Sequence, residues 1–188
     1  TTRKLQNKFK DLKIVFNPEF LTERSANFDF INQSRFILGG EEQDTREVSK
    51  LYRARFGNHI PVIETDFESA ELTKYVCNTY FATKVSFLNE MYLLSERVNA
   101  NWEDVIEGFV RDGRVGSSHL NVPGPDGKFG FGGSCFPKDI QAMINFADSL
   151  DINLSVLKGA WETNLRVRPE KDWELLKGRA VVEIEEGN

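Results

Sequence analysis

From Phe67 to Val98 the sequence contains neither glycine nor proline. Nothing in that stretch breaks an α-helix, so it predicts one rod about 45 Å long at 1.5 Å per residue. Its apolar residues do not keep to a single stripe. Val76, Cys77, Tyr80, Phe81, Val85, Phe87, Leu88, Met91, Tyr92, Leu93 and Leu94 spread over more than one face, and a helix that is apolar on several sides has to be surrounded. Trp102 to Val110, Lys138 to Leu150 and Asn153 to about Leu176 have the pattern of helices that can pack around it. Asp151 or Asn153 is placed to cap the last of these, and Pro169 to kink or end it. Part of the rod's apolar surface is expected to be covered by a second copy of the chain.

Ahead of the rod the period changes. Leu12 to Phe16 predicts a short buried strand that Asn17-Pro18 ends, which pushes Glu19 into a loop. Arg35 to Leu38, followed by Gly39-Gly40, predicts a second strand and a turn. Val48, Leu51, Tyr52 and Phe56 mark an amphipathic helix over Glu42 to Phe56, and Pro61 to Glu64 a third strand. The expected fold is an α/β tail followed by a mainly α-helical domain built on one long helix.

With 188 residues, 40% of them hydrophobic and 15 of them phenylalanine, the chain can bury a substantial core. A net charge of -5 and scattered lysines and arginines supply no basic stripe for nucleic acid. The two cysteines, Cys77 and Cys135, form no Cys-x-x-Cys pair, and His59 and His119 lie far apart in sequence. Neither a metal site nor a disulfide framework is expected. The absence of a bilayer-spanning apolar run or a secretory signal points to a protein of the cytoplasm, with no membrane partner.

The local chemistry concentrates in Phe129-Gly-Phe-Gly-Gly-Ser-Cys135-Phe-Pro-Lys-Asp139. Pro137 suits the first position of a helix that Ile140, Met143, Ile144 and Ala147 continue. Cys135 would then lie just before the helix start, beside Lys138, and both favour thiolate over thiol. Gly132 and Gly133 leave room for a bulky group near the sulfur. From these residues alone a packed apolar cysteine after a plain turn is an equal reading.

Three strings decide between them. Gly130-Phe-Gly-Gly-Ser-Cys135-Phe-Pro-Lys-Asp139, Asn17-Pro-Glu19-Phe-Leu-Thr-Glu23 and Ala70-Glu-Leu-Thr-Lys74-Tyr-Val-Cys-Asn78 resemble, in family order, the cysteine, substrate-loop and central-helix motifs of the UDP-glucose/GDP-mannose dehydrogenases, the nucleotide-sugar 6-dehydrogenases. The resemblance implies that residues 1–66 are the end of an NAD-binding Rossmann-like domain and 67–176 the central dimerisation and catalytic domain. Residues 177–188 would lead toward a third domain. The family's dinucleotide turn would lie upstream of Thr1. This sequence has no Gly-x-Gly-x-x-Gly, and Gly130-Phe-Gly132-Gly133 has the wrong spacing for one.

The resemblance also implies roles. In the family an alcohol is oxidised twice with NAD, and a cysteine holds the intermediate as thiohemiacetal and then thioester; by motif position that cysteine is Cys135. Asp139 would assist proton transfer through water, and Lys74 and Asn78, at i and i+4, would be the oxyanion's donors. Glu19 would be the base in thioester hydrolysis. Phe20, Leu21 and Glu23 would wrap the sugar nucleotide, Glu23 also approaching the cofactor. Phe129 and Gly132 would lie against the nucleotide, and Arg114 would reach a neighbouring subunit's substrate. The chain departs from shorter family loops by carrying Asn121-Val-Pro-Gly-Pro-Asp-Gly127. Phe136-Pro-Lys-Asp139 favours a UDP-sugar, UDP-glucose first, over GDP-mannose or a UDP-N-acetylhexosamine. Two other classes stand beside this one. A thiol hydrolase or acyl transferase lacks an evident histidine base near Cys135, and a helical dimerisation module inactive on its own fits the missing dinucleotide turn.

Overall fold

The computed structural model describes residues 1–22, 25–176 and Gly178. Glu23 and the segment expected to leave the central domain, Gly178 excepted, lie outside the described residues. The chain divides into two compact units, Thr1–Val76 and Cys77–Asn188.

In the first unit, helix α1 (Thr2–Lys8) and strand β1 (Val15–Phe16) precede helix α2 (Ala26–Ile31), β2 (Phe36–Gly40), α3 (Glu42–Phe56) and β3 (Val62–Thr65). The sheet order is β1-β2-β3, with β1 antiparallel to β2 and β2 parallel to β3. A parallel pair needs a crossover, and α3 is that crossover. Phe36, Ile37 and Leu38 are buried on β2, and the Phe36 ring stacks on Tyr52 of α3 with centroids 4.3 Å apart. The expected turn at Gly39-Gly40 is instead the end of β2. The cause is tertiary: a Cβ on Gly39 would lie 2.5 Å from the Cβ of Ala70, so glycine here lets the sheet reach α4. Helices α1 and α2 are not anticipated by the sequence pattern.

Helix α4 (Phe67–Val98) has the expected bounds. Asp66 starts it, its Oδ1 accepting the Ser69 backbone N–H at 2.7 Å. In the second unit α5 (Trp102–Val110), α6 (Cys135–Asp148) and α7 (Ser155–Val167) follow, then a 3-10 turn over Asp172–Leu175. One face of α4 packs Ala82 and Val85 with Phe131, Ile140 and Ala160. Further along the same side, Leu88, Met91 and Tyr92 pack with Trp102, Leu120 and Val122. Successive stretches of the rod are thus met by different elements.

Two helix ends differ from expectation. Ser134 is the cap residue of α6 and Cys135 its first residue, so Pro137 stands at the third position. The first four helical N–H groups have no intrahelical partner, so proline is tolerated there as well. Helix α7 begins at Ser155 after Leu154, with no side-chain cap from Asp151 or Asn153, and ends at Val167, ahead of Pro169. No described helix is long and apolar enough to cross a membrane.

Candidate active site

Cys135 is solvent-exposed at the first residue of α6, where the unpaired N–H groups leave partial positive charge. Its Sγ lies 3.8 Å from Ser134 Oγ. Asp139, one turn on, is only 3% exposed. Its Oδ2 accepts from Asn78 Nδ2 at 2.5 Å, and Lys138 Nζ donates to Oδ1. These donors supply what a buried carboxylate needs in place of water. The second unit thus joins Asn78 to Asp139, four residues after the thiol.

The glycine loop before Cys135 is held from below. Gly130 N–H donates to Asn89 Oδ1 at 3.0 Å and Phe131 N–H to Asn164 Oδ1 at 2.8 Å, while Asn164 Nδ2 returns a bond to Phe131 O at 3.0 Å. Gly130 has φ 66°, and a Cβ there would stand 2.4 Å from Asn164 Oδ1. The position therefore requires glycine in both conformation and space. Phe129 is half-buried, its ring centroid 5.6 Å from that of Tyr92. Beneath the loop, Arg168 spans Asp126 and Asp172 at 2.7 Å and 2.6 Å. Its hydrogen bond holds the Asp172 carboxyl below the usual aspartate range, assisted by the Gly133 N–H. Burial, the largest influence at Asp126, opposes the same change, and the Arg168 hydrogen bond, the Lys128 N–H and the Arg168 charge together outweigh it.

The first unit gathers a second set. Lys74 Nζ donates to the Glu19 backbone carbonyl and lies 3.6 Å from the Glu19 carboxylate. It also sits 5.3 Å from the Phe20 ring centroid, and Arg35 lies 4.4 Å from the same ring. The Leu21 N–H donates to Glu19 Oε1, and Pro18 is buried. After the Asn17-Pro18 stop, Glu19 and Phe20 thus lie beside Lys74.

Arg114 stands apart: its side chain is 89% exposed and its Nε and Nη2 donate to Asp112 at 2.9 Å and 2.5 Å. Sequence reasoning passed over Arg168, Asn89, Asn164, Asp126, Asp172 and Lys84. Lys84 Nζ donates to Gly116 O and Ser118 O, both at 2.7 Å, which fixes the loop ahead of His119. The His119 residue is exposed overall, yet its ring stacks on Phe81 at 4.4 Å. Desolvation of the ring there, then the Lys84 charge, holds it below the usual histidine range. The signal for Arg168 was slight, an arginine one turn after Asn164 at a helix end.

In the first unit a parallel crossover precedes the start of α4, and in the second α4 packs with the helix that Cys135 begins. Residues 68–166 match the central domain of the UDP-glucose/GDP-mannose dehydrogenase family, and residues 1–55 its NAD binding domain. The chain belongs to that family. Among similar proteins, the UDP-glucose 6-dehydrogenase of Rickettsia felis is 38% identical over 161 residues, 85% of this chain and 35% of the relative. That of Rhizobium meliloti is 41% identical over 148 residues, 77% of this chain and 33% of the relative. A UDP-glucose dehydrogenase structure from Pyrobaculum islandicum superposes with a TM-score of 0.72 at 34% identity, covering 87% of this chain and 36% of the other. The chain spans about a third of the length of these relatives.

Proposed function

We propose that this chain is the intermediate-trapping part of a cytoplasmic, NAD-dependent UDP-glucose 6-dehydrogenase. The oxidations need a hydride acceptor, and the family domain matched by residues 1–55 is described as binding NAD. The sequence holds no glycine turn to cradle a pyrophosphate. The chain's own residues carry the capture and the release of the sugar carbon.

In the capture, the Cys135 thiolate adds to the C6 aldehyde. A C–S bond forms, the carbonyl π bond breaks, and its electron pair moves to oxygen. Lys74 and Asn78, one turn apart on α4, are the donors for that oxyanion. Bound NAD would take the hydride from the thiohemiacetal carbon and so leave a thioester. In the release, water adds to the thioester carbonyl while Glu19 takes its proton; the C–S bond breaks, thiolate returns, and the carboxylate leaves with its second proton passing to solvent. Asp139 relays protons through water at the oxygen that Asn78 serves. Phe20, Leu21 and Glu23 wrap the sugar nucleotide, Glu23 also approaching the cofactor. Phe129 and Gly132 line the nucleotide, and Arg114 serves a neighbouring subunit's substrate. GDP-mannose and UDP-N-acetylhexosamines are the alternative substrates.

The observation that supports this reading most is the exposed Cys135 at the head of α6 with buried Asp139 one turn on, bonded to Asn78. Its test is protection of the thiol. The 6-aldehyde of UDP-glucose is expected to slow iodoacetamide alkylation of Cys135 while leaving Cys77 untouched. Equal alkylation with and without the aldehyde would overturn the assignment.

A homodimer through α4 belongs to the same reading. Tyr80, Phe87, Leu94 and Val98 are all exposed, and at 100° per residue they fall within about 40° of one another. Leu72 and Val76, exposed as well, keep the same spacing. On its own such a dimer would bind and trap without producing NADH from UDP-glucose.

A further inference from the structure

Arg168 is 2% exposed by its side chain, and a buried cation needs partners that replace its hydration. Among the described residues, its guanidinium bonds to the cysteine loop, to the segment ahead of it and to the turn after α7. Nε donates to Asp172 Oδ1 at 2.6 Å, Nη2 to Asp126 Oδ2 at 2.7 Å and to Asp172 Oδ2 at 3.2 Å, and Nη1 to Phe129 O at 3.2 Å. Asp172 Oδ2 also accepts the Gly133 N–H at 3.3 Å, two residues before Cys135. A Cβ on Gly132 would stand 2.3 to 2.6 Å from the guanidinium atoms. The loop backbone therefore rests directly on the planar cation, and a tethered side chain cannot simply move aside. Asp126 brings the Asn121–Gly127 segment, where the chain departs from shorter family loops, into the same clamp.

We infer that Arg168 is a positioning residue: it sets where the glycine loop ends, and so where α6 begins under Cys135. The inference rests on the reading of Cys135 as the nucleophile. A lysine cannot replace it, because a point charge on a flexible stem lacks the fork that reaches two carboxylates and a carbonyl at once. It also gives Gly132 a reason to be glycine that does not depend on a ligand.

The test uses the full chain. Arg168→Lys and the milder Asp126→Asn are made, folding is checked by circular dichroism, and iodoacetamide alkylation of both cysteines is followed by mass spectrometry at fixed pH. Cys135 is expected to react roughly two- to fivefold more slowly in each variant, the ratio that loss of an ordered helix start gives an anion. Cys77 is expected to keep its rate, and the amides of Gly130, Phe131 and Gly133 to exchange faster. Gly132→Ala should slow Cys135 in the parent and add nothing in an Arg168→Met background; full additivity would mean the two positions act independently. Unchanged Cys135 rates and amide exchange in a folded variant would overturn the inference. Parent Cys135 that reacts no faster than in the urea-unfolded chain would instead overturn the nucleophile reading, while the amide arm still decides the role of Arg168.

Discussion

Asn78 Nδ2 donates to Asp139 Oδ2 across 2.5 Å, and both residues are buried. The bond ties α4 to the first turn of α6, so an amide and a carboxylate assigned separate chemical roles are also one structural joint. A hydrogen bond to a charged group contributes about 1.5–3 kcal/mol, and leaving a buried acceptor short of donors costs on the same scale. Asn78→Ala is therefore expected to lower unfolding free energy by about 1.5–3 kcal/mol. Asn78→Asp should cost more, since it sets two carboxylates against each other. The pair Asn78→Asp with Asp139→Asn restores one donor and one acceptor and should recover part of that loss. Urea denaturation of these three variants and of Asp139→Asn alone measures this, and simple additivity would show that the two side chains do not communicate.

Lys74 makes a contrasting case. Its side chain is 21% exposed and that of Glu19 is 55% exposed, so water and salt screen the pair. Exposed ion pairs contribute at most about 1 kcal/mol. Lys74→Ala should accordingly leave the unfolding midpoint nearly in place while freeing the Glu19-Phe20-Leu21 loop, read as faster proteolysis between Asn17 and Thr22. A loss well above that figure would show that the ammonium supports the first unit's core.

How much of this was legible in the sequence depends on the range of the cause. Helices α3 and α4 were readable to the residue because their determinants are local: apolar spacing and the absence of breakers. Gly39-Gly40 looks like a turn until Ala70, some thirty residues on, demands the space of a missing Cβ. The start of α6 was placed late because Pro137 fits more than one position among the unpaired amides. Cys135, Asp139, Asn78, Lys74 and Glu19 were found through motif resemblance, and the structure joins them in two sets, Lys74 with Glu19 and Asn78 with Asp139. Arg168 escaped because its partners Asp126 and Phe129 lie about forty residues upstream, and a lone arginine at a helix end reads as an ordinary surface charge.

The exposed stripe on α4 makes a prediction about assembly. Four large apolar side chains at Tyr80, Phe87, Leu94 and Val98 remain in water, although another side of the same helix is packed. Contiguous exposed apolar surface marks an interface. Sedimentation equilibrium is expected to give the mass of two chains, and Phe87→Glu to weaken association by roughly thirtyfold or more, the scale of a central apolar anchor. A monomer at every concentration would remove the dimer.

Acid should act on the Arg168 clamp with a definite sign. Asp172 is held below its ordinary value of 3.8, first by its hydrogen bond to Arg168. Asp126, also below 3.8, is lowered by the same guanidinium against its own burial. Near and below pH 4 the unfolded chain thus binds more protons than the folded one, and stability falls as pH falls through that range. The contribution is complete above the ordinary aspartate value, so it is flat at neutral pH. Asp172→Asn removes the titrating group and should give a chain less stable at pH 7 whose stability then declines less steeply toward pH 3. Thermal melts of parent and variant across that interval check the slope. Parallel curves would mean that the Asp172 carboxylate titrates alike in the folded and unfolded chain, and that the guanidinium beneath the cysteine loop does not hold it.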